Sequence, residues 1–453
     1  MRTVRRHRTC AVTALSALVL AAGAYAGEAS LVEALKQRDR ASVAELLLHG
    51  GDAINAALPD GSTPLAWAAH LQDLETARSL LEAGAEVNTA DTYGDTPLTL
   101  ACANGDAPMV MALLQAGADP KVSRWNRETP LMLAAGTGLA DAVKLMLARG
   151  ADPDAQERGR GQTALMWASA DGHPETVAAL AEAGADLNIQ SEQGFTALMF
   201  AITRNDLASM RVLLEAGADP NTLAYDGSRP TNIAASYAHS DALEMLLKLS
   251  AANSTPDNAG QTPLYLAARA GDAKAVEMLL AAGADPNLHT YPVEDLGADR
   301  DLRRSDAEDT PLLAAALEGH LEVMRMLVAA GADTKARTQD GATLLMRAVR
   351  SAQMPVVQYA YTLDNDLAAK TSIGRTVMHA SVMLTSFRAT EDEICEIIRF
   401  LADVGADPDP IDAGGRTAIS TADVWPMEKA SMLLYELTVA AGREPKILPT
   451  NLR

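Results

Sequence analysis

One motif recurs along most of the chain at an almost constant interval. Its core is Thr-Pro-Leu or Thr-Ala-Leu, and a second apolar run that ends near Gly-Ala-Asp follows each clear copy. The copies begin at Thr63, Thr96, Thr129, Thr163, Thr196, Thr262 and Thr310, with weaker ones at Arg229, Thr343, Thr376 and Thr417. Successive starts lie 33, 33, 34, 33, 33, 33, 48, 33, 33 and 41 residues apart. Such a period predicts a stack of small units, each of which contacts only its neighbours.

The unit that begins at Thr63 shows why each copy is expected to form two helices. Thr63 can cap a helix, and Pro64 occupies the first helical position, where a missing N–H costs nothing. A second stripe with helical spacing consists of Leu74, Ala77, Leu80 and Leu81. Gly84 suits the left-handed residue that ends a helix. The residues that follow, up to Asp95, lead through a turn into the next copy.

This two-helix unit with its projecting turn resembles the ankyrin repeat over about residues 29–440. The resemblance implies an all-α ankyrin-repeat solenoid of about twelve helix-turn-helix units with projecting β-turn tips. In the family the fourth signature position is usually His, whose ring bonds neighbouring backbone, but here only His379 keeps it. Four copies carry methionine there, at Met132, Met166, Met199 and Met346. We expect these methionines to fill the core and hydrogen bonding between units to be looser.

Departures from the period divide the chain into segments. In order, we expect a signal peptide (1–26), an N-terminal capping repeat (27–60), regular ankyrin-like repeats (61–287), an inserted loop (288–307), degenerate repeats with a C-terminal cap (308–440) and a tail (441–453). Eight further residues are added near Ser386 to Glu393, between the two helices of one unit. The tail is expected to fray, since it lies beyond the last repeat.

The N-terminus has the pattern of a bacterial export signal. Four arginines precede an apolar run from Ala11 to Ala22, and Ala24-Tyr25-Ala26 is a small-x-small cleavage site. The apolar run is too short for a comfortable membrane span, and no later stretch approaches 18 apolar residues. We therefore expect cleavage after Ala26, no membrane insertion of the mature chain, and a location in the periplasm or outside the cell.

The charge of the chain argues against several classes of partner. The net charge is −21, and removal of the leader with its four arginines leaves 34 − 59 = −25. Phosphate backbones and anionic membrane surfaces would repel such a chain, so nucleic acid is not expected as a partner. The acidity also suits a long monomeric stack that must stay soluble. Cys102 and Cys395, which lie eight repeats apart, are expected to be small core residues.

Sequence signatures of catalysis or metal binding are missing. The chain has no Gly-x-Ser-x-Gly, His-Glu-x-x-His, Gly-x-x-x-x-Gly-Lys or Cys-x-x-Cys. Seven histidines remain after leader removal, and they are scattered. His173 and His320 follow a Gly between helices, where a structural role is favoured. The carboxylates of the 288–307 insert do not match a calcium loop. We expect no enzyme, cofactor or metal.

The candidate binding residues come from the free positions of each turn. The resemblance implies that a partner protein binds the concave face, built from turn tips and first helices. Aromatic residues make up only 4% of the chain, yet four of them fall at predicted tips: Tyr93, Trp125, Phe195 and Tyr225. Exposed aromatic residues of this kind can anchor an interface, although chance exposure is the alternative. The remaining candidates are Asn126, Arg158 and Arg160 at tips and Arg204 and Tyr237 deeper on the same face. Three other aromatic residues, Trp67, Trp167 and Phe200, are expected to pack inward.

These features predict a non-catalytic scaffold that binds another protein in the periplasm or outside the cell. Such a scaffold could hold or regulate an exported enzyme, for example a redox protein, which is an argument from fold analogy. Two alternatives remain open at this point. One is a secreted effector that acts on host proteins. The other is a ligand-binding or enzymatic protein whose site lies on the 288–307 insert.

Overall fold

The computed structural model describes residues 31–49, 51–249, 251–291, 308–383, 389–425 and 427–452. The predicted signal peptide and all but the first four residues of the 288–307 insert lie outside the described residues. The chain divides into two compact units, one that ends at Trp125 and one that begins at Asn126, and each is described by itself. We call them the N-terminal unit and the C-terminal unit.

Three helix pairs make up the described part of the N-terminal unit. They are α1 (Leu31–Lys36) with α2 (Arg40–His49), α3 (Pro64–His70) with α4 (Leu74–Glu82), and α5 (Pro97–Asn104) with α6 (Ala107–Gln115). A short 3-10 helix, Gly51–Asn55, follows the first pair. The first pair lacks the Thr-Pro start and its first helix has only 6 residues, in keeping with the atypical terminal repeat that the sequence predicts.

Nine helix pairs follow in the described part of the C-terminal unit. They are α7 (Pro130–Gly136) and α8 (Ala140–Ala148); α9 (Ala164–Asp171) and α10 (Pro174–Glu182); α11 (Ala197–Arg204) and α12 (Leu207–Glu215); α13 (Pro230–Ser236) and α14 (Ser240–Lys248); α15 (Pro263–Ala270) and α16 (Ala273–Ala281); α17 (Pro311–Glu318) and α18 (Leu321–Ala329); α19 (Leu344–Val349) and α20 (Met354–Leu363); α21 (Val377–Ser381) and α22 (Glu391–Asp403); α23 (Ala418–Val424) and α24 (Glu428–Ala440). Across the described ranges only an isolated bridge, Ile411 to Thr417, has β pairing. The predicted all-helical repeat fold is confirmed.

Local chemistry explains where the helices begin. Before α3, Thr63 is extended and its Oγ1 accepts the N–H of Ala66 at 3.2 Å, while Pro64 starts the helix. The second helices are capped by aspartate in several pairs; Asp73, for example, accepts the N–H of Thr76 at 3.2 Å before α4. Each cap satisfies an amide that the helix itself leaves unpaired. The capping residues therefore fix the start of both helices in these pairs.

The core lies between the first and second helices and between neighbouring pairs. The signature-position methionines Met132, Met166, Met199 and Met346 are buried, as is the leucine that precedes each of them. Alanine pairs such as Ala134 and Ala135 are fully buried, and within each unit successive first helices pack against each other. Small side chains at these positions allow a close approach of the helices, and methionine fills the remaining space.

Backbone hydrogen bonds join the turns that precede successive first helices. We call this side of each unit the tip edge, formed by turns such as 91–95, 157–162, 191–195 and 224–228. In the N-terminal unit, the N–H of Trp125 donates to the carbonyl of Tyr93 at 3.2 Å. In the C-terminal unit the corresponding donors and acceptors are Arg158 to Asn126, Glu192 to Arg160, Tyr225 to Gln193, Asn258 to Asp226 and Tyr291 to Ala259, at 2.7–3.2 Å. Within each unit the tip edge is therefore tied from repeat to repeat through main-chain atoms.

Side chains make the corresponding ties at the other edge. We call it the loop edge, formed by the Gly-Ala-Asp loops after the second helices. The Oδ1 of Asn88 accepts the N–H of Asp119 at 2.8 Å in the N-terminal unit. In the C-terminal unit the N–H of Asp219 donates to Oδ1 of Asn188 at 2.9 Å, and that of Asp186 to Oδ1 of Asp154 at 2.8 Å. In these loops one acceptor side chain thus binds the next loop.

Hydrogen bonds between repeats also form at positions that do not depend on the signature histidine. The expectation of looser bonding counted only the His position, whereas both edges carry ties that do not depend on it. At that position Asn232 replaces His and donates Nδ2 to the carbonyl of Gln261 at 2.9 Å. His379 keeps the family role, with Nε2 at 3.1 Å from the carbonyl of Arg416. His173 likewise reaches the preceding repeat, at 3.2 Å from the carbonyl of Gly136.

The C-terminal end also differs from the expectation. Residues 384–388 lie outside the described part, but Glu391 to Glu393 form the first turn of α22, which has 13 residues and a capping box at Thr390. Polar groups tie the described residues of the tail to the last repeats. Arg443 pairs with Asp407 at 2.6 Å, and the N–H of Thr450 donates to Asp423 at 3.1 Å.

Candidate functional site

In the N-terminal unit, two aromatic side chains project from the tip edge. Tyr93 is 51% exposed and Trp125 is 68% exposed. The turn beneath Tyr93 is built by Asp91, whose Oδ1 accepts the N–H of Tyr93 and of Asp95, both at 2.8 Å. Partial burial raises the pKa of the Asp91 carboxyl above its usual value. The turn thus uses a half-buried carboxylate and main-chain atoms and leaves the Tyr93 ring free.

Trp67 was predicted to pack inward, but it does not. It lies on α3, half-buried, on the exposed side of the first helix. Its Nε1 donates to Oγ of Ser62 at 3.1 Å, and the His70 ring meets it edge-on at 5.6 Å. Lys36 places Nζ 4.7 Å from the ring centroid. Burial lowers the pKa of His70. Trp67 is therefore covered by polar and cationic neighbours of its own unit.

The same unit neutralises its tip arginine internally. Arg124 pairs with Asp95 at 2.5 Å, and both side chains are largely buried. The pair joins two successive tips and leaves little positive charge at the surface. Asp60, on the preceding tip, uses Oδ1 to accept the N–H and the hydroxyl of Ser62, at 2.9 and 2.6 Å. The described tips of the N-terminal unit are thus acidic or neutral.

The C-terminal unit has a different tip between Glu157 and Gln162, where the sequence adds one residue. Glu157 is buried, and its carboxylate accepts the N–H groups of Gly159, of Arg160 at 2.7 Å and of Gln162 at 3.1 Å. It replaces the turn aspartate of other repeats. The side chains of Arg158 and Arg160 are exposed on this tip.

Asn126 and Arg127 lie on the tip next to it. The carbonyl of Asn126 accepts the N–H of Arg158 at 2.8 Å, while its side chain accepts the N–H of Glu128 at 3.1 Å. The side chain of Asn126, predicted to bind a partner, is therefore used by its own turn. Arg127 was not among the predicted binding residues. It occupies the place of the turn glycine with φ of +66°, which exposes its side chain, and its presence where Gly is expected was the available signal.

Only part of the predicted aromatic set of the C-terminal unit is exposed. Tyr225 is 68% exposed at its tip, and Tyr237, at the end of α13, is 41% exposed and stacks on His239 at 5.7 Å. Phe195 is half-buried instead, because its ring packs on Phe200 with centroids 5.7 Å apart. Phe200, expected to pack inward, is itself only half-buried on α11. These two rings form one small apolar surface below the tip.

Trp167 occupies the position of α9 that Phe200 occupies on α11. It is half-buried rather than packed inward, and its ring lies against Gly136, where an added Cβ would come within 3.0 Å of Cε3. Its Nε1 is buried and has no hydrogen-bond partner within the described ranges. We call Trp167, Phe195 and Phe200 the aromatic floor.

Arg204 ends α11 beside this floor and is exposed. A Cβ added to Gly172, the residue that caps α9, would lie 2.6 Å from the Arg204 Nε, so the guanidinium lies over the carboxyl end of α9. The main-chain hydrogen bonds of the tip edge, which we call the ladder, place four tips side by side. In order, these tips carry Asn126, Arg158 with Arg160, Phe195 and Tyr225. Of the predicted residues of this unit, the structure therefore brings these together on one edge.

Other features offer no chemistry of their own. In the part of the chain that the structure describes, no group of three His, Cys, Asp or Glu side chains could hold a metal ion, and no helix is long and apolar enough to cross a membrane. An open groove of about 380 Å³ lies beside α8 and α10, lined by Lys144, Leu147, Ala148, Ala151, Pro153, Ala179, Glu182 and Ala183. Burial raises the pKa of the thiols of Cys102 and Cys395, which makes both poor nucleophiles.

Comparison with known proteins gives a consistent picture of the repeats. A family model described as "Ankyrin repeats (3 copies)" matches residues 31–124, 86–157, 131–224, 222–290 and 293–371. No curated protein sequence matches. Among solved structures, 586 chains match, and one of them is the crystal structure of the human ASB11 ankyrin repeat domain. It is 28% identical, covers 52% of this chain and 98% of its own, and has a TM-score of 0.44.

Proposed function

This chain belongs to the ankyrin repeat family, and we propose that it is a non-catalytic scaffold that binds a partner protein through its tip edge and first helices. Ankyrin repeats are protein-interaction modules, which supports binding rather than chemistry. The partner would be an exported protein, such as an enzyme or redox protein that the scaffold holds or regulates.

The observation that carries this proposal is the exposure of Trp125, Tyr225 and Tyr93 at the tips. Few aromatic residues are present in the chain, and burying them in the core would have stabilised the fold. The turns that carry Tyr93 and Tyr225 are held by main-chain and carboxylate groups, so these rings have no structural duty. Large rigid rings on a fixed backbone lose little entropy on binding and suit interface anchors.

The leader supports a location in the periplasm or outside the cell, and the acidity of the chain disfavours nucleic acid and anionic membranes. We propose that the mature protein is a monomer and is not inserted in a membrane. Fractionation of cells that produce the tagged full-length chain tests the location. Cytoplasmic retention with an uncleaved leader would contradict it, and light scattering of the purified protein tests the monomer.

The binding surface is tested with a triple variant, Tyr93→Ala, Trp125→Ala and Tyr225→Ala. A tagged chain is used to capture partners from a periplasmic extract, and captured proteins are identified by mass spectrometry. We expect the triple variant to lose the main partner with unchanged helix content in circular dichroism. Leu48→Ala with Leu249→Ala, which removes exposed apolar side chains away from the tips, is the matched control. Undiminished capture by the triple variant would exclude the tips as the binding surface.

A further inference from the structure

Three arginines on neighbouring tips of the C-terminal unit carry unused positive charge. We call Arg127, Arg158 and Arg160 the arginine patch. All three are exposed, and none forms an ion pair with any residue that the structure describes. The N–H of Arg158 donates to the carbonyl of Asn126, so the two tips that carry the patch are adjacent. In a chain with a net charge of −21, intramolecular partners for three arginines would have been easy to supply.

The fold has no need of these side chains. Buried Glu157 builds the turn through its carboxylate, and the tip is tied to its neighbours by main-chain atoms. On the loop edge the charged groups are explained by structure. There the exposed aspartates each accept the N–H two residues further on, as in Asp152, Asp186, Asp219, Asp285 and Asp333. The acidity of the loop edge therefore follows from its turns, whereas the arginine patch does not follow from any turn.

The patch lies directly above the aromatic floor. Helix α9 begins two residues after Gln162, so Trp167 is in the first turn of the helix that the arginine tip leads into. The N–H of Glu192 donates to the carbonyl of Arg160 at 2.7 Å, which places the tip that bears Phe195 next to the patch. Arg204 lies at the opposite end of the same first helices. A cationic rim thus borders an apolar surface on two sides.

We propose that this surface binds an extended, acidic segment of the partner protein. Carboxylates of the segment would pair with Arg158 and Arg160, and an apolar side chain would cover the accessible parts of Trp167 and Phe200. Arg127 and Arg204 extend the cationic rim. The inference rests on the proposed function and adds the chemistry of the partner. Planar guanidinium groups bind carboxylates through paired hydrogen bonds, which explains arginine at these places.

Charge separates a polypeptide from a nucleic acid as the occupant. A few carboxylates can approach the patch locally, whereas a polyphosphate would also pass over the acidic residues nearby. Glu192 and Asp226 are exposed on the two following tips, and the loop edge is acidic. A dense line of phosphates would be repelled there. A short segment that alternates acidic and apolar residues fits the alternation of arginine rim and aromatic floor, because an extended strand points successive side chains to opposite sides.

The test measures binding of a fluorescein-labelled peptide of alternating Glu and Leu to the full mature chain by fluorescence anisotropy. We expect saturable binding that weakens as salt is added, since charged contacts are screened. Arg158→Glu with Arg160→Glu should weaken binding by about tenfold or more. The control is Lys144→Glu with Arg211→Glu, which changes net charge equally on exposed second helices and should change affinity less than about twofold. Trp167→Ala should weaken binding without altering its salt dependence.

Four results would overturn the inference. These are no binding to the wild-type chain, equal binding of a peptide of alternating Gln and Leu, equal loss in the control variant, or equal binding of a labelled single-stranded oligonucleotide. The proposed function is judged separately with the captured partner. If Arg158→Glu with Arg160→Glu still captures it while the tip-aromatic variant does not, the scaffold function stands and the acidic-segment inference falls. If both variants capture it, both proposals fall.

Discussion

The two edges of the repeats solve the same structural problem with different atoms. At the tip edge, main-chain N–H and carbonyl groups join one repeat to the next, as in Tyr225 to Gln193. At the loop edge, a side chain such as Asn188 accepts the amide of the following loop. A tie made by main-chain atoms places few demands on residue type, whereas a tie made by a side chain fixes it. The tip edge is therefore free to vary, and binding residues can accumulate there at little cost in stability.

The largest difference between the edges should be in the loss of stability when a glycine of each edge is replaced by alanine. Gly194, at a tip, has φ of +79°, and an added Cβ would lie 2.6 Å from the main-chain N of Tyr225. Gly184, at the loop edge, has φ of +85° with nothing within 4 Å of that position. Urea unfolding should show that Gly194→Ala costs about 3 kcal/mol, against about 1 kcal/mol for Gly184→Ala, because only the first adds a backbone clash and strains a ladder bond. Equal losses would mean that the tips do not pack as closely as described.

A second prediction concerns the tip at residues 157–162, where the side chain of Glu157 holds the turn together. Glu157→Ala leaves the amides of Gly159, Arg160 and Gln162 without their acceptor and should cost about 2 kcal/mol in urea unfolding. Glu157→Gln keeps one acceptor oxygen and should cost less. Arg158→Ala, on the same turn, is the control and should leave stability within about 0.5 kcal/mol. A destabilising Arg158→Ala would show that the tip arginines serve the fold.

A third prediction compares one polar side chain from each edge. Asn188→Ala removes the acceptor for the N–H of Asp219 and should cost about 1 kcal/mol. Gln193→Ala should cost less than about 0.5 kcal/mol, because its carbonyl, which accepts from Tyr225, is retained. Asn188→Asp should behave like the wild type, since Asp154 already fills the equivalent place. Equal costs for Asn188→Ala and Gln193→Ala in urea unfolding would remove the distinction between the edges.

The smallest expected effect is the pH dependence from His379, a side-chain tie at the tip edge. Burial lowers the pKa of this imidazole, and its Nδ1 accepts the N–H of Thr376 at 3.3 Å, which protonation would oppose. The unfolded chain therefore binds this proton more readily. The stability that neutral His379 contributes is complete above about pH 6.5 and falls as the pH drops through the folded pKa. His379→Asn, which places at this position the residue found at Asn232, should reduce the loss of unfolding free energy between neutral and acidic pH, measured by urea unfolding. If the loss is the same in this variant, other titratable groups cause it.

The repeat pattern predicted the fold because the same local chemistry recurs in each unit. Thr63 and Pro64 start a helix wherever they are copied, and the apolar stripe decides which face is buried. Exposure of Trp125 and Tyr225 was predicted for the same reason. The packing of Phe195 on Phe200 was not, because it depends on a ring contact that no period encodes.

The remaining errors arise where one residue performs a task that another usually performs. Glu157 replaces the turn aspartate, which frees the two arginines beside it. Arg127 replaces a turn glycine and accepts a left-handed backbone. Trp67 and Trp167 were expected inside because they follow the fourth signature position, yet a first helix has one face that no second helix covers. Such substitutions become visible only when the three-dimensional neighbours of each position are known.

The ladder at the tip edge also bears on how such a gene can change length. Within each unit of the structure, a tip such as 191–195 both accepts a bond from the following tip and donates one to the preceding tip. Deletion or duplication of DNA that encodes one whole repeat would join the old donor to an equivalent acceptor. Unequal recombination could therefore lengthen or shorten the array in single steps that each yield a folded product. Selection would then act on which tip side chains the new array displays.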